Sequence, residues 1–186
     1  MSVTDECLAD NERYARNFAG SLSMQPSRRL AVVACMDARL DVYALLGLGT
    51  GEAHVIRNAG GVVTDDVIRS LAISQRLLGT DEIVLIHHTD CGMLTFTDDT
   101  FRRTVQDETG LKPPWAAESF TDLDEDVRQS VARIAASPFL PHRDAGQERG
   151  QGGCHRRPGR RAVLRDRAGR HVEVQVDRTE ELRIDR

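Results

Sequence analysis

The sequence predicts an α/β fold, with a central, mainly parallel β-sheet flanked by helices and an atypical C-terminal segment. Three observations carry this. Two short unbroken apolar runs, Leu30–Cys35 and residues 83–86, have the length of strands buried on both faces. They alternate with stretches of helical composition, above all residues 64–78. Strand, helix, strand, helix, strand in that order implies parallel strands joined by right-handed crossovers.

Residues 5–18 are polar, with Leu8, Tyr14, Ala15 and Phe18 on one stripe of an expected N-terminal helix. The run Leu30–Cys35 is the first strand. Residues 40–48 are helical in composition, and Gly47, Gly49 and Gly51 end that helix. His54-Val55-Ile56 is a second strand, and Asn58-Ala59-Gly60-Gly61 a turn. In the helix at residues 64–78, Thr64 or Asp65 is the cap, and Asp65 and Asp66 suit the positive end of the dipole. Val67, Leu71, Ser74 and Leu78 share one side, and Gly79 stops the helix. Glu82–His88 is the third strand. Residues 97–107 and 122–136 predict two further helices, separated by a loop containing Lys112-Pro113-Pro114-Trp115.

The 186 residues suffice for one buried core, and 40% apolar with 29% charged is an ordinary globular balance. No apolar run approaches a bilayer span, so no membrane partner is expected. The start, Met-Ser-Val-Thr-Asp-Glu-Cys, lacks the basic and then apolar pattern of a secretory leader. Four cysteines do not make a disulfide scaffold in a chain of this length, so a reducing cytoplasm is expected.

The chain changes character near its end. From His142 onward there are 12 Arg and 8 acidic residues, a net of +4 against −4 for the whole chain. Residues 145–161 are rich in Gly and Arg with almost nothing apolar, which predicts a loop or disorder. Residues 162–164 and 171–176 predict a hairpin across 166–169, the alternation from His171 to Val176 giving one wet face. The expected division is therefore 1–144 and 145–186, with a possible edge hairpin at 162–176.

Two clusters carry chemistry. Cys35-Met36-Asp37-Ala38-Arg39 follows the first strand, and His88-Thr89-Asp90-Cys91-Gly92 follows the third. Open parallel sheets bind ligands outside the carboxyl ends of strands, where the winding reverses. If the first and third strands are neighbours, one His and two Cys converge there. Thiolate and imidazole suit tetrahedral zinc, and three protein ligands leave a fourth position for water. Two thiolates make that zinc a weaker Lewis acid than three imidazoles would. Nearby polar groups must help, and Asp37, clamped and kept ionised by Arg39, is placed to do so.

Cys-x-Asp-x-Arg, Arg57-Asn58-Ala59-Gly60-Gly61 and His-x-x-Cys together resemble the β-class carbonic anhydrases, closest to the small bacterial and mycobacterial type. The likeness runs from about Arg13 to Asp144 and includes Pro113-Pro114-Trp115 and the segment from Ser137 to His142. The resemblance implies zinc on Cys35, His88 and Cys91, with Asp37 and Arg39 as the catalytic pair. In some members the aspartate itself takes the fourth zinc position, here Asp37. It implies reversible hydration of carbon dioxide to bicarbonate by zinc-bound hydroxide, in a homodimer or higher homo-oligomer. Many relatives carry Ser in place of Ala38. After about Asp144 the likeness ends, as a frameshift or a replacement hairpin would make it end.

Two other functions share these residues. One is zinc-dependent hydrolysis of a related linear molecule, carbonyl sulfide or carbon disulfide. The other is a catalytically silent zinc-binding domain. Elsewhere the structural explanations are simpler. His87 should point away from His88 and be packed or hydrogen-bonded. His54 is a possible proton shuttle that no spacing requires. Cys7 is an ordinary thiol, and Cys154-His155 with His171 is a coincidence of composition. Gly47–Gly51 lacks the Lys of a phosphate loop. The Arg-rich tail has no interleaved aromatics, so no nucleic-acid partner is expected.

Overall fold

The computed structural model describes residues 2–18, 20–141, 160–165 and 171–178, the last two stretches by their backbone. Cys154, His155, most of the loop expected at 145–161 and the hairpin turn expected at 166–169 lie outside the described residues.

The elements follow in the order α1 (Val3–Arg16), β1 (Leu30–Cys35), α2 (Val42–Leu46), β2 (Ala53–Asn58), α3 (Asp65–Leu78), β3 (Glu82–His88), α4 (Asp98–Thr109), α5 (Leu123–Ala136), β4 (Arg160–Arg165) and β5 (His171–Arg178). Strands β2, β1 and β3 are parallel neighbours in the sheet order β2-β1-β3-β5-β4. Strand β5 runs antiparallel to β3 along its whole length, from Glu82 opposite Arg178 to His88 opposite Val172, and β4 pairs with β5.

Side-chain alternation divides the core into two layers. Ala31, Val33, Ile83 and Leu85 face α3 and α5, packing on Val67, Leu71 and Ile134 with Leu140. Val32, Ala34, Val84 and Ile86 face the other way, among Leu40, Val42 and Met93. Both faces of β1 and β3 are therefore dry, which is why their sequences carry no polar alternation.

Local details refine the expected boundaries. Helix α1 begins at Val3 because Ser2 and Asp5 form a reciprocal capping box, Ser2 Oγ accepting from the Asp5 amide at 3.2 Å. None of its residues is buried; Leu8, Tyr14 and Phe18 stand exposed. Thr64 is the N-cap of α3 without a side-chain cap bond, and Gly79 ends that helix at φ 73°. The buried face of α3 is Val67, Leu71, Ser74 and Gln75 rather than reaching fully to Leu78.

Candidate metal centre

Strands β1 and β3 lie side by side, with Ala34 opposite Ile86, so their carboxyl ends open at one edge. Cys35 ends β1 and His88 ends β3. Cys91 follows in a turn made possible by Asp90 at φ 57°, a left-handed conformation that Asp tolerates better than most residues. The donor atoms of Cys35, His88 and Cys91 all lie within 4.8 Å of one another, and all three residues are buried.

The set fits zinc. The two sulfurs are 3.8 Å apart. Two thiolates at zinc–sulfur distances of about 2.3 Å in a tetrahedron would be separated by about 3.8 Å. His88 Nδ1 lies 2.9 Å from the Thr89 carbonyl, which can only accept, so Nδ1–H donates there and the neutral ring keeps its lone pair on Nε2. That Nε2 is buried and has no hydrogen-bond partner, an arrangement a metal ion resolves.

The electrostatics also favour a cation. The Cys35 thiol is lowered, first by the hydrogen bond from Cys91, with burial opposing, and then by His88 and the amides of Asp37 and Gly60. Cys91 is pushed up by its pairing with Cys35 and by burial, against the Met93 amide. His88 is raised, chiefly by Cys35, with burial opposing. The Cys35 sulfur and the Asp37 carboxyl that raise His88 make this a pocket that favours positive charge.

Asp37 and Arg39 stand beside this cluster. Arg39 Nε donates to Asp37 Oδ1 at 2.9 Å and Nη2 donates to Asp37 Oδ2 at 2.6 Å, a bidentate clamp. The Arg39 amide adds a third bond to Oδ1 at 2.9 Å. The Arg39 side chain, against the pull of burial, holds the Asp37 carboxyl well below the usual carboxylate range. Asp37 Oδ2 is 3.7 Å from His88 Nε2, too long for a hydrogen bond. Asp37 is thus adjacent to the three converging donors and engaged by Arg39 rather than grouped with them.

Three contributors escape a reading of motifs alone. Arg57, on β2, donates from Nε to the Cys35 carbonyl at 3.0 Å and from Nη2 to the Asp37 carbonyl at 2.7 Å, pinning the loop that carries both. Gly61, at φ 75°, lies against the ends of β1 and β3. Asp90 binds the far side of Arg39, with Oδ2 accepting from Nη1 at 2.7 Å. Only contacts across the fold reveal these roles, although the Arg57–Gly61 string marks where two of them sit.

The remaining sequence candidates fall elsewhere. His87 is fully buried on the opposite face of β3, with Nε2 2.8 Å from Asp126 Oδ2 on α5. His54 pairs with Ala31 in the register, four residues before the Asn58–Cys35 pair at the site edge, and its Nδ1 contacts Ser74 Oγ at 2.8 Å. Cys7 is exposed on α1.

Fold and site together define an α/β protein with a buried Cys–His–Cys group, of a kind that can hold a metal ion, at the carboxyl edge of its sheet. Residues 30–133 match the family model described as carbonic anhydrase. The chain is 69% identical over 140 residues to Beta-carbonic anhydrase 1 of Mycobacterium tuberculosis, covering 75% of this chain and 86% of that one. The crystal structure of a carbonic anhydrase from Streptococcus mutans superposes with a TM-score of 0.71 at 45% identity, over 76% of this chain and 86% of that one. A carbon disulfide hydrolase of Acidithiobacillus thiooxidans is 34% identical over 163 residues, covering 76% of this chain and 81% of that one. The chain belongs to the carbonic anhydrase family, in its β class, a family of metalloenzymes.

Proposed function

We propose that the chain is a zinc-dependent lyase that interconverts carbon dioxide and bicarbonate, with Cys35, His88 and Cys91 holding the metal and Asp37 with Arg39 acting beside it. The observation that carries this is the convergence of three buried donors within 4.8 Å beside a clamped carboxylate. Zinc held by these three residues would supply Lewis acidity, lowering the pKa of water toward neutrality.

The chain's own groups do the rest. Asp37, ionised and held by Arg39, is an acceptor only, so it orients the O–H of the attacking water toward itself and the oxygen lone pair toward the carbon. Arg39 keeps that carboxylate charged and in place. The amides of Asp37 and Gly60 at Cys35, and of Met93 at Cys91, stabilise the thiolate charge. Carbon dioxide is uncharged, so the site needs no compensating charge for the substrate.

The same residues suit carbon disulfide, and one relative named for that hydrolysis is 34% identical. The higher identity to the mycobacterial carbonic anhydrase, 69%, favours carbon dioxide. Stopped-flow hydration of carbon dioxide by the zinc-loaded chain, run beside carbonyl sulfide and carbon disulfide turnover, tests this. A rate above buffer with carbon dioxide supports it; turnover of the sulfur compounds alone overturns it, and so does a folded, zinc-loaded chain inert toward all three.

Residues 1–144 form the enzyme unit in this proposal, and residues 145–186 an atypical segment that adds β4 and β5 beside β3. Thiolate ligation needs reduced cysteines, which a cytoplasmic location supplies. No described helix is long and apolar enough to cross a membrane. A homodimer or larger assembly is proposed because α1 buries none of its residues and leaves Leu8 and Tyr14 exposed. Sedimentation should give at least a dimer; a monomer across a wide concentration range overturns that part.

A further inference from the structure

Asp90 lies between two of the metal-binding residues in sequence, yet its side chain turns to Arg39. Asp90 Oδ2 accepts from Arg39 Nη1 at 2.7 Å, and the Asp90 carbonyl accepts from Nη2 at 2.9 Å. The other edge of the same guanidinium holds Asp37, through Nε at 2.9 Å and Nη2 at 2.6 Å. Two carboxylates 53 positions apart in the chain thus share one planar cation. Fixing both edges removes the freedom to rotate that a guanidinium held on one edge retains.

That freedom matters because Asp37 has two competing partners. Arg39 draws it one way. A dication among Cys35, His88 and Cys91 draws it the other, and Asp37 Oδ2 lies only 3.7 Å from His88 Nε2. An Arg39 free to follow would let Asp37 move onto the metal and occupy the position water needs. We propose that Asp90 is a positioning residue that grips the far edge of Arg39 and so keeps the Asp37 carboxylate turned away from the metal. This rests on the proposed roles of the metal, Asp37 and Arg39. Asp90 is also the residue at φ 57° that sets the turn between His88 and Cys91, so the turn that delivers Cys91 delivers the anchor for Arg39.

The ordinary alternative is a surface ion pair of no consequence. The Asp90 side chain is 74% exposed, and such pairs add little to stability. The two explanations agree on stability and differ at the metal. The test uses Asp90→Asn and Asp90→Gly, both compatible with a left-handed backbone, loaded with Co2+ in place of zinc. Both should keep full cobalt content and an unchanged Tm. Their visible cobalt spectra should shift toward that of a site with an added carboxylate ligand, more for Gly than for Asn. Carbon dioxide hydration should fall about tenfold, the low end for a group one contact removed from a metal site. In an Asp37→Ala background, adding Asp90→Gly should leave the cobalt spectrum unchanged. Spectra identical to the parent chain in both single variants overturn the proposal whatever the activity, as does a shift that persists without Asp37. A parent chain that takes up neither zinc nor cobalt overturns the metal assignment itself, and is seen before any variant is made.

Discussion

Gly61 lies directly against Cys35: a Cβ at Gly61 would come within 2.8 Å of the Cys35 amide nitrogen, and within 3.0 Å of the Ala34 carbonyl carbon and the Ile86 carbonyl oxygen. These are backbone atoms of β1 and β3, which cannot yield as a flexible side chain would. Gly61 also sits at φ 75°, where an L side chain is strained. Gly61→Ala should therefore push apart the strands that present Cys35 and His88. Expected are a stability loss of about 2 kcal/mol or more in denaturant titration, and weaker zinc retention against a chelator.

Cys35→Ser, His88→Ala or Cys91→Ser should each lower zinc content sharply, since three protein donors leave none in reserve. Elemental analysis of the purified variants checks this, and full zinc in all three would remove the ligand assignment.

Asp98 ties α4 to the loop before α5. Its carboxylate accepts from the amides of Ala117 at 3.0 Å, Glu118 at 3.3 Å and Ser119 at 2.8 Å, and from Ser119 Oγ at 2.8 Å. Burial raises its pKa, but the Ser119, Glu118 and Ala117 bonds outweigh that and leave it lowered. A lowered folded pKa gives stability that is fully present above the ordinary carboxylate value of 3.8 and is lost as pH falls through the lowered value. Asp98→Asn should cost about 1–3 kcal/mol at neutral pH. The difference from the parent chain should shrink as the solution is acidified, read as Tm against pH.

Removing residues 145–186 should destabilise the chain while leaving the metal donors present. Strand β5 pairs with β3 from Glu82 to His88, and its loss would strip the hydrogen-bond partners from one edge of the strand that carries His88. The expected result is a lower Tm and a greater tendency to associate, with zinc still bound. Loss of zinc on truncation would make the segment part of the site.

The legibility of the fold follows burial. Strands β1 and β3 read cleanly because both faces are covered, and their expected bounds, Leu30–Cys35 and Glu82–His88, are those observed. Strand β2 is an edge strand of half-buried residues, so only its apolar centre stands out in the sequence, while the paired strand runs Ala53–Asn58. Helix α2 is shorter than residues 40–48 suggest because Asp41 caps it and Gly47 ends it in a left-handed conformation. At the site, Cys35, Asp37, Arg39, His88 and Cys91 are legible because their residue types carry the chemistry. Arg57, Gly61 and Asp90 are not, because each acts through backbone or side-chain atoms distant in sequence.

The separation of Cys35 and Cys91 by 56 residues also sets an order of events during folding. Before β1 and β3 pair, His88 and Cys91 are close together on a short turn while Cys35 is not yet beside them. The three donors meet only once the parallel sheet has brought Cys35 alongside, and pairing across the intervening α2, β2 and α3 is slow compared with local turn formation. If the metal binds as proposed, its capture should follow sheet formation, and the thiols should be more open to oxidation before that point than after it.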